Sequence, residues 1–124
     1  MVCLDCPPSL GLLTLNGLAA AGEVIIPMQA HYLALQGVGK LLETIGLLTR
    51  GERAINPGLT VTGVVLCAHD SQSAHTREVV EDLASFFAEA REMPGLPWSE
   101  ASVLEPAIRR NIKLAECPSF GQTI

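Results

Sequence analysis

Apolar positions along the chain change period several times, and each change marks an element. Met1 to Cys6 is a short apolar stretch ending around Asp5, followed by Pro7-Pro8-Ser9. Proline has no N–H to give a ladder, so this reads as a buried strand that stops in a loop. From Leu10 to Ala21 the chain is apolar nearly all round, with Thr14 and Asn16 as interruptions, which predicts a largely buried helix. Glu23 to Pro27 is a β-branched run bounded by Gly22 and Pro27, a second strand. His31 to about Arg53 carries Ala34, Val38, Leu41, Leu42, Ile45 and Leu48 at the three-and-four spacing of one helical face. Asn56-Pro57-Gly58 ends that helix, and Leu59 to Cys67 predicts a third strand whose second half is continuously apolar. Thr76 to about Ala90 sets Val79, Val80, Leu83, Phe86 and Phe87 on one face and Glu78, Glu81, Asp82 and Glu89 away from it, an amphipathic helix. Ala101 to Leu104 is a short fourth strand candidate.

Strands alternating with helices predict βαβ units, hence an α/β fold with a mainly parallel sheet, flanking helices and right-handed crossovers. Ligands in such sheets sit beyond the carboxyl ends of the strands. The segments to watch are therefore Asp5 to Ser9, Pro27 to Tyr32, Cys67 to Ser73 and Pro106 to Lys113.

Composition narrows this picture. With 124 residues there is room for one domain, residues 1–124, and an apolar fraction of 48% suits a sheet buried on both faces. No apolar run reaches the roughly 20 residues of a membrane span, and no basic segment leads into an apolar one. A cytoplasmic protein without a membrane partner is expected. The net charge of −5 gives no overall electrostatic footprint for nucleic acid, so any DNA contact must be local. Arg109, Arg110 and Lys113 form the compact basic cluster.

Of the four cysteines only Cys3 and Cys6 are close in sequence, and no second ligand pair accompanies them. Placed in and just after a buried strand they behave as small hydrophobes, so no zinc or redox site is expected. His31, His69 and His75 have no ligand spacing, and no serine stands in a nucleophile elbow. A hydrolase triad is unsupported.

Asp5, at the end of an apolar strand, has the place of a magnesium-shell carboxylate, though an aspartate there is also a common turn former. Longer runs decide more. Asp5-Cys-Pro-Pro-Ser-Leu-Gly11 with Leu12-Leu-Thr-Leu-Asn16 closely resembles the Walker B and switch II segment of ParA/Soj-type partition ATPases, D-x-P-P-S-L-x-x-L-T-L-N-A-L. Glu23-Val-Ile-Ile-Pro-Met-Gln29 resembles that family's next strand and Tyr32-Leu-Ala-Leu-Gln-Gly37 its following helix start. Arg110-Asn-Ile-Lys-Leu-Ala-Glu-Cys-Pro-Ser-Phe-Gly121 is similar to its P-R-N-V-R-L-A-E-A-P-S-F-G signature.

The resemblance implies a P-loop NTPase fold of the ParA/MinD type, represented by its C-terminal half. By the same token Asp5 would orient magnesium through water, and Pro7, Pro8 and Ser9 would belong to the switch that senses the γ-phosphate. Cys67, Ile108, Arg109, Arg110 and Asn111 would flank the adenine, with Arg109 where the family commonly has proline. Lys113 and Arg110 would contact DNA phosphates. A second basic position, an arginine in a D-S-R-T turn, is Gln72 here.

The parent family binds ATP and Mg2+, forms a homodimer in the ATP state, associates with nucleoid DNA without sequence preference and works with a ParB-like partner in chromosome or plasmid partitioning. The family's K-G-G-V-G-K-T-T phosphate loop has no counterpart. Gly37-Val-Gly39-Lys40 is the nearest string and lies inside a helical pattern. This chain alone is therefore expected to hold no cofactor and to hydrolyse no ATP, and its uncovered apolar edges and faces imply self-association or poor stability. A MinD-like cargo-positioning ATPase and a non-catalytic interaction module are the alternatives.

Overall fold

The computed structural model describes residues 1–70 and 73–121. Helix α1 (Leu12–Ala20) leads into strand β1 (Glu23–Met28), helix α2 (Tyr32–Thr49), strand β2 (Thr60–Leu66), helix α3 (Ala74–Arg91) and strand β3 (Ser102–Leu104). A five-residue helix α4 (Ile112–Glu116) and a 3-10 turn (Cys117–Phe120) follow. The three strands form one parallel sheet in the order β1-β2-β3, as the strand–helix alternation predicts. Because the sheet grows in one direction, crossovers of one hand put α2 and α3 on the same face, and the two helices do touch there.

The core lies between that face and the two helices. Val38, Leu42, Ile45 and Leu48 of α2 and Val79, Leu83 and Phe87 of α3 meet Ile26 and Met28 of β1 and Val61, Val64 and Leu66 of β2. These are the helical-period positions read from the sequence, and the helix boundaries fall within a few residues of the expected ones. The two long helices start on side-chain caps. His31 Nδ1 accepts from the N–H of Ala34 and Ser73 Oγ from that of Thr76, satisfying donors that have no partner within a first turn.

Between Val24 and Ile25 the β1–β2 register slips by one residue, leaving Thr62 as a bulge. Gly63 follows it, and a Cβ there would run into the carbonyl oxygen of Ser102 on β3. Only glycine lets β3 close on β2 at this point. The sheet continues through Pro27 to Met28. The Met28 carbonyl accepts from Cys67, so Pro27, one residue earlier, turns its ring nitrogen to the free edge of β1, where no bond is lost.

Two expectations fail. Residues 1–6 form no strand: they have no ladder partner, and Val2 and Leu4 are exposed. A strand exists only through its pairing, and the sheet ends at β1 without reaching this segment. Nor is α1 largely buried. It reaches the core through Leu18 and Thr14, while Leu12 and Leu13 are 79% and 74% exposed. On the sheet itself, Ile25, which alternates with the buried Ile26 and so faces away from α2 and α3, is 57% exposed among the described residues. The sheet is thus covered on one face, where the composition had suggested both.

Candidate functional site

The three parallel strands end at Met28, Leu66 and Leu104, which places the segments that follow them at one end of the sheet. Backbone hydrogen bonds join the last two of these segments. Cys67 donates to Met28 at 2.8 Å, Ile108 to Leu66 at 2.8 Å, His69 to Ile108 at 3.0 Å and Arg110 to His69 at 3.4 Å. His69 and Arg109 face each other as a parallel bridge, so the ladder resumes beyond the end of β3. Between Cys67 and His69 the backbone turns through Ala68 at φ 49°, the left-handed region that a side chain disfavours.

This arrangement brings together Cys67, Ile108, Arg109 and Arg110, all expected at one site. Cys67 is half-buried and its thiol lies 3.8 Å from the Val65 carbonyl, whereas Ile108, Arg109 and Arg110 are exposed. Asn111 has a structural duty: its Oδ1 accepts from the N–H of Lys113 at 2.9 Å and starts α4. Lys113 is exposed in that first turn, beside Arg109 and Arg110 in the chain. The three exposed cations lie within five consecutive residues of a chain whose net charge is −5. Gln72 lies outside the described residues.

Asp5 and Pro7 to Ser9 make a separate group. Asp5 is exposed and, among the described residues, takes part in no hydrogen bond or ion pair, and none links it to the Cys67–Arg110 ladder. The Pro7-Pro8-Ser9 loop is tied down by Thr14, whose hydroxyl donates to the carbonyls of Ser9 at 2.6 Å and Pro7 at 3.2 Å. Thr14 is itself buried, so these bonds are shielded from water. The apolar pattern had marked Thr14 only as an interruption; a lone hydroxyl facing inward on an apolar helix was the signal to follow.

The cysteines also change reading. Cys3 and Cys6 are exposed, not shielded in a strand, and the four cysteines are unpaired thiols. No group of three or more His, Cys, Asp or Glu side chains gathers in metal-ligating geometry among the described residues. Asp5 offers a hard oxygen donor suited to magnesium, an ion that typically takes one or two carboxylates and fills its shell with water and phosphate oxygens. The residues fit such an ion as one contributor among several.

Comparison with known proteins agrees with the motifs. A family model described as an AAA domain matches residues 1–61. Over 123 residues the chain is 42% identical to the chromosome partitioning protein ParA of Myxococcus xanthus, covering 99% of this chain and 38% of that protein. It is 40% identical over 124 residues to the chromosome-partitioning ATPase Soj of Thermus thermophilus, covering 100% of this chain and 44% of the relative. The chain belongs to the ParA/Soj family. Its span is about two fifths of the length of these ParA/Soj relatives. Among solved structures it is similar to cobyrinic acid a,c-diamide synthase from Mycobacterium smegmatis with bound ADP and magnesium. That match has a TM-score of 0.62 and 42% identity, and covers 88% of this chain and 38% of the other. The ParA/Soj assignment and the parallel α/β fold were both legible in the motifs. No helix among the described residues is long and apolar enough to cross a membrane.

Proposed function

We propose that residues 1–124 are a partial ParA-type ATPase domain contributing the base side and the switch to a nucleotide-dependent machine for chromosome or plasmid partitioning. The observation that supports this most directly is the hydrogen-bonded closure of Cys67–His69 on Ile108–Arg110 at the carboxyl end of a parallel sheet, where open α/β folds bind ligands. In this reading Cys67 and Ile108 to Asn111 hold the adenine, Asp5 holds Mg2+ through water, and Pro7, Pro8 and Ser9 respond to the γ-phosphate.

The wider activity follows from the same reading. The complete protein forms a homodimer in its ATP state, binds nucleoid DNA through Arg110 and Lys113, and meets a ParB-like partner in the cytoplasm. Phosphate contacts demand charge and no base readout, which an exposed three-cation patch supplies. Phosphoryl transfer needs a pre-organised cradle of donors around the phosphates. Neither loop described above provides one, so the chain by itself does not hydrolyse ATP.

The test is a titration of the chain with Mg·ATP followed by amide shifts, alongside a phosphate-release assay. Weak shifts at Asp5–Ser9, Cys67–Asp70 and Ile108–Asn111, short of the tight binding of a held cofactor and without phosphate release, are expected. Shifts that leave out Cys67–Asp70 and Ile108–Asn111, or sustained hydrolysis by this chain, would overturn the assignment.

A further inference from the structure

His69 did not enter the expected site, yet it occupies the centre of the ladder that forms it. Its N–H donates to Ile108 and its carbonyl accepts from Arg110, so the backbone fixes it on both sides. Its ring has one feature unlike any other side chain among the described residues: Nδ1 is shut away from solvent and has no hydrogen-bond partner. The residue as a whole is half-buried, and Nε2 is not among the buried side-chain atoms that lack a partner.

A neutral imidazole carries its proton on one nitrogen and a lone pair on the other. Placing the proton on the enclosed Nδ1 leaves a buried donor without an acceptor, which native structures almost never tolerate. A bare lone pair there is the lesser cost. The proton then sits on Nε2, and the half-exposed ring presents a donor between the two segments of the candidate site. Purine rings offer bare ring nitrogens as acceptors along their edges. We infer that His69 rests as the Nε2–H tautomer and is the side-chain donor through which this end of the sheet holds a purine base. This deepens the proposed function and rests on its placement of the base at Cys67 and Ile108 to Asn111.

Nitrogen–proton correlation spectra of the imidazole in the unliganded chain read the tautomer directly. An unprotonated Nδ1 is expected, and a protonated Nδ1 overturns the inference whatever ATP does. Mg·ATP is then titrated into wild type, His69→Phe and His69→Gln, each first checked for an intact amide spectrum. Phe removes the donor and should weaken binding by about fivefold, the value of one ordinary hydrogen bond. Gln restores a donor at the reach of Nε2 and should bind within about twofold of wild type. Equal affinity of wild type and His69→Phe, with shifts still at Ile108–Asn111, removes His69 from the base site and leaves that site standing. No shifts at Cys67 or Ile108–Asn111 in any variant removes the base site and this role together.

Discussion

The hydroxyl of Thr14 donates to the carbonyl of Ser9 at 2.6 Å and reaches that of Pro7 at 3.2 Å, so one buried side chain on α1 anchors both ends of the Pro-Pro loop. Prolines fix their own φ but leave the loop free to swing as a body. Thr14 decides where it rests. A loop held by one shared donor can be released by losing that donor, a property that suits the switch role proposed for it above.

Thr14→Val keeps the shape of the side chain and removes the donor. Two carbonyls lose a partner, at a cost of about 1–2 kcal/mol in urea unfolding. The local readout is more specific: amide exchange around Leu10 and Gly11 should accelerate more than exchange in β2. Equal acceleration throughout would mean that Thr14 acts only on global stability.

Asn56 secures the other end of the same helix. Its Nδ2 donates to the carbonyls of Leu18 and Ala21, at 2.9 and 2.7 Å, while its N–H bonds Leu48, so it links α1 to the end of α2. Carbonyls at a helix C-terminus have no partner within the helix and must find one elsewhere. Asn56→Ala should cost about 1–3 kcal/mol by thermal or urea unfolding. Asn56→Asp puts acceptors against acceptors and should be at least as damaging. An unaltered midpoint for both variants would contradict the role given to this side chain.

Ala68 carries backbone strain at the exit of β2, with φ at 49°. Glycine occupies that region without the Cβ penalty, so Ala68→Gly is expected to change stability by less than about 1 kcal/mol, in the stabilising direction. Ala68→Val, with a branched side chain, should destabilise by about 1–3 kcal/mol. If valine is tolerated as well as glycine, the turn between Cys67 and His69 does not require the left-handed conformation.

What the sequence made legible follows from how each signal arises. The faces of α2 and α3 came through because Val38, Leu42, Ile45 and Leu48, and Val79, Leu83 and Phe87, repeat over roughly two to three turns against one sheet. The convergence of Cys67 with Ile108–Arg110 was legible through family motifs, since backbone ladders between distant segments have no periodic trace. Met1–Cys6 misled because an apolar run specifies a wish for burial, and only a neighbouring strand can satisfy it. Thr14, Asn56 and His69 escaped notice for a common reason. Each acts through one or two polar groups on partners fixed by the fold, five to 41 positions away in the chain.

The basic patch supplies the last test. Arg109, Arg110 and Lys113 are exposed at the approach to α4 and its first turn, on a chain of net charge −5. At low salt, duplex DNA of mixed sequence should lose affinity for the Arg110→Ala, Lys113→Ala double variant by roughly tenfold, equally across sequences. The slope of log affinity against log salt should become shallower by about two, near one unit for each phosphate contact removed. A double variant of Lys40→Ala and Arg53→Ala removes the same charge from exposed positions on and after α2 and serves as the control. If both double variants lose affinity to the same extent, overall charge governs binding and the patch at α4 has no special part. A selective loss at Arg110 and Lys113 shows that the acidic molecule meets DNA through this one local surface.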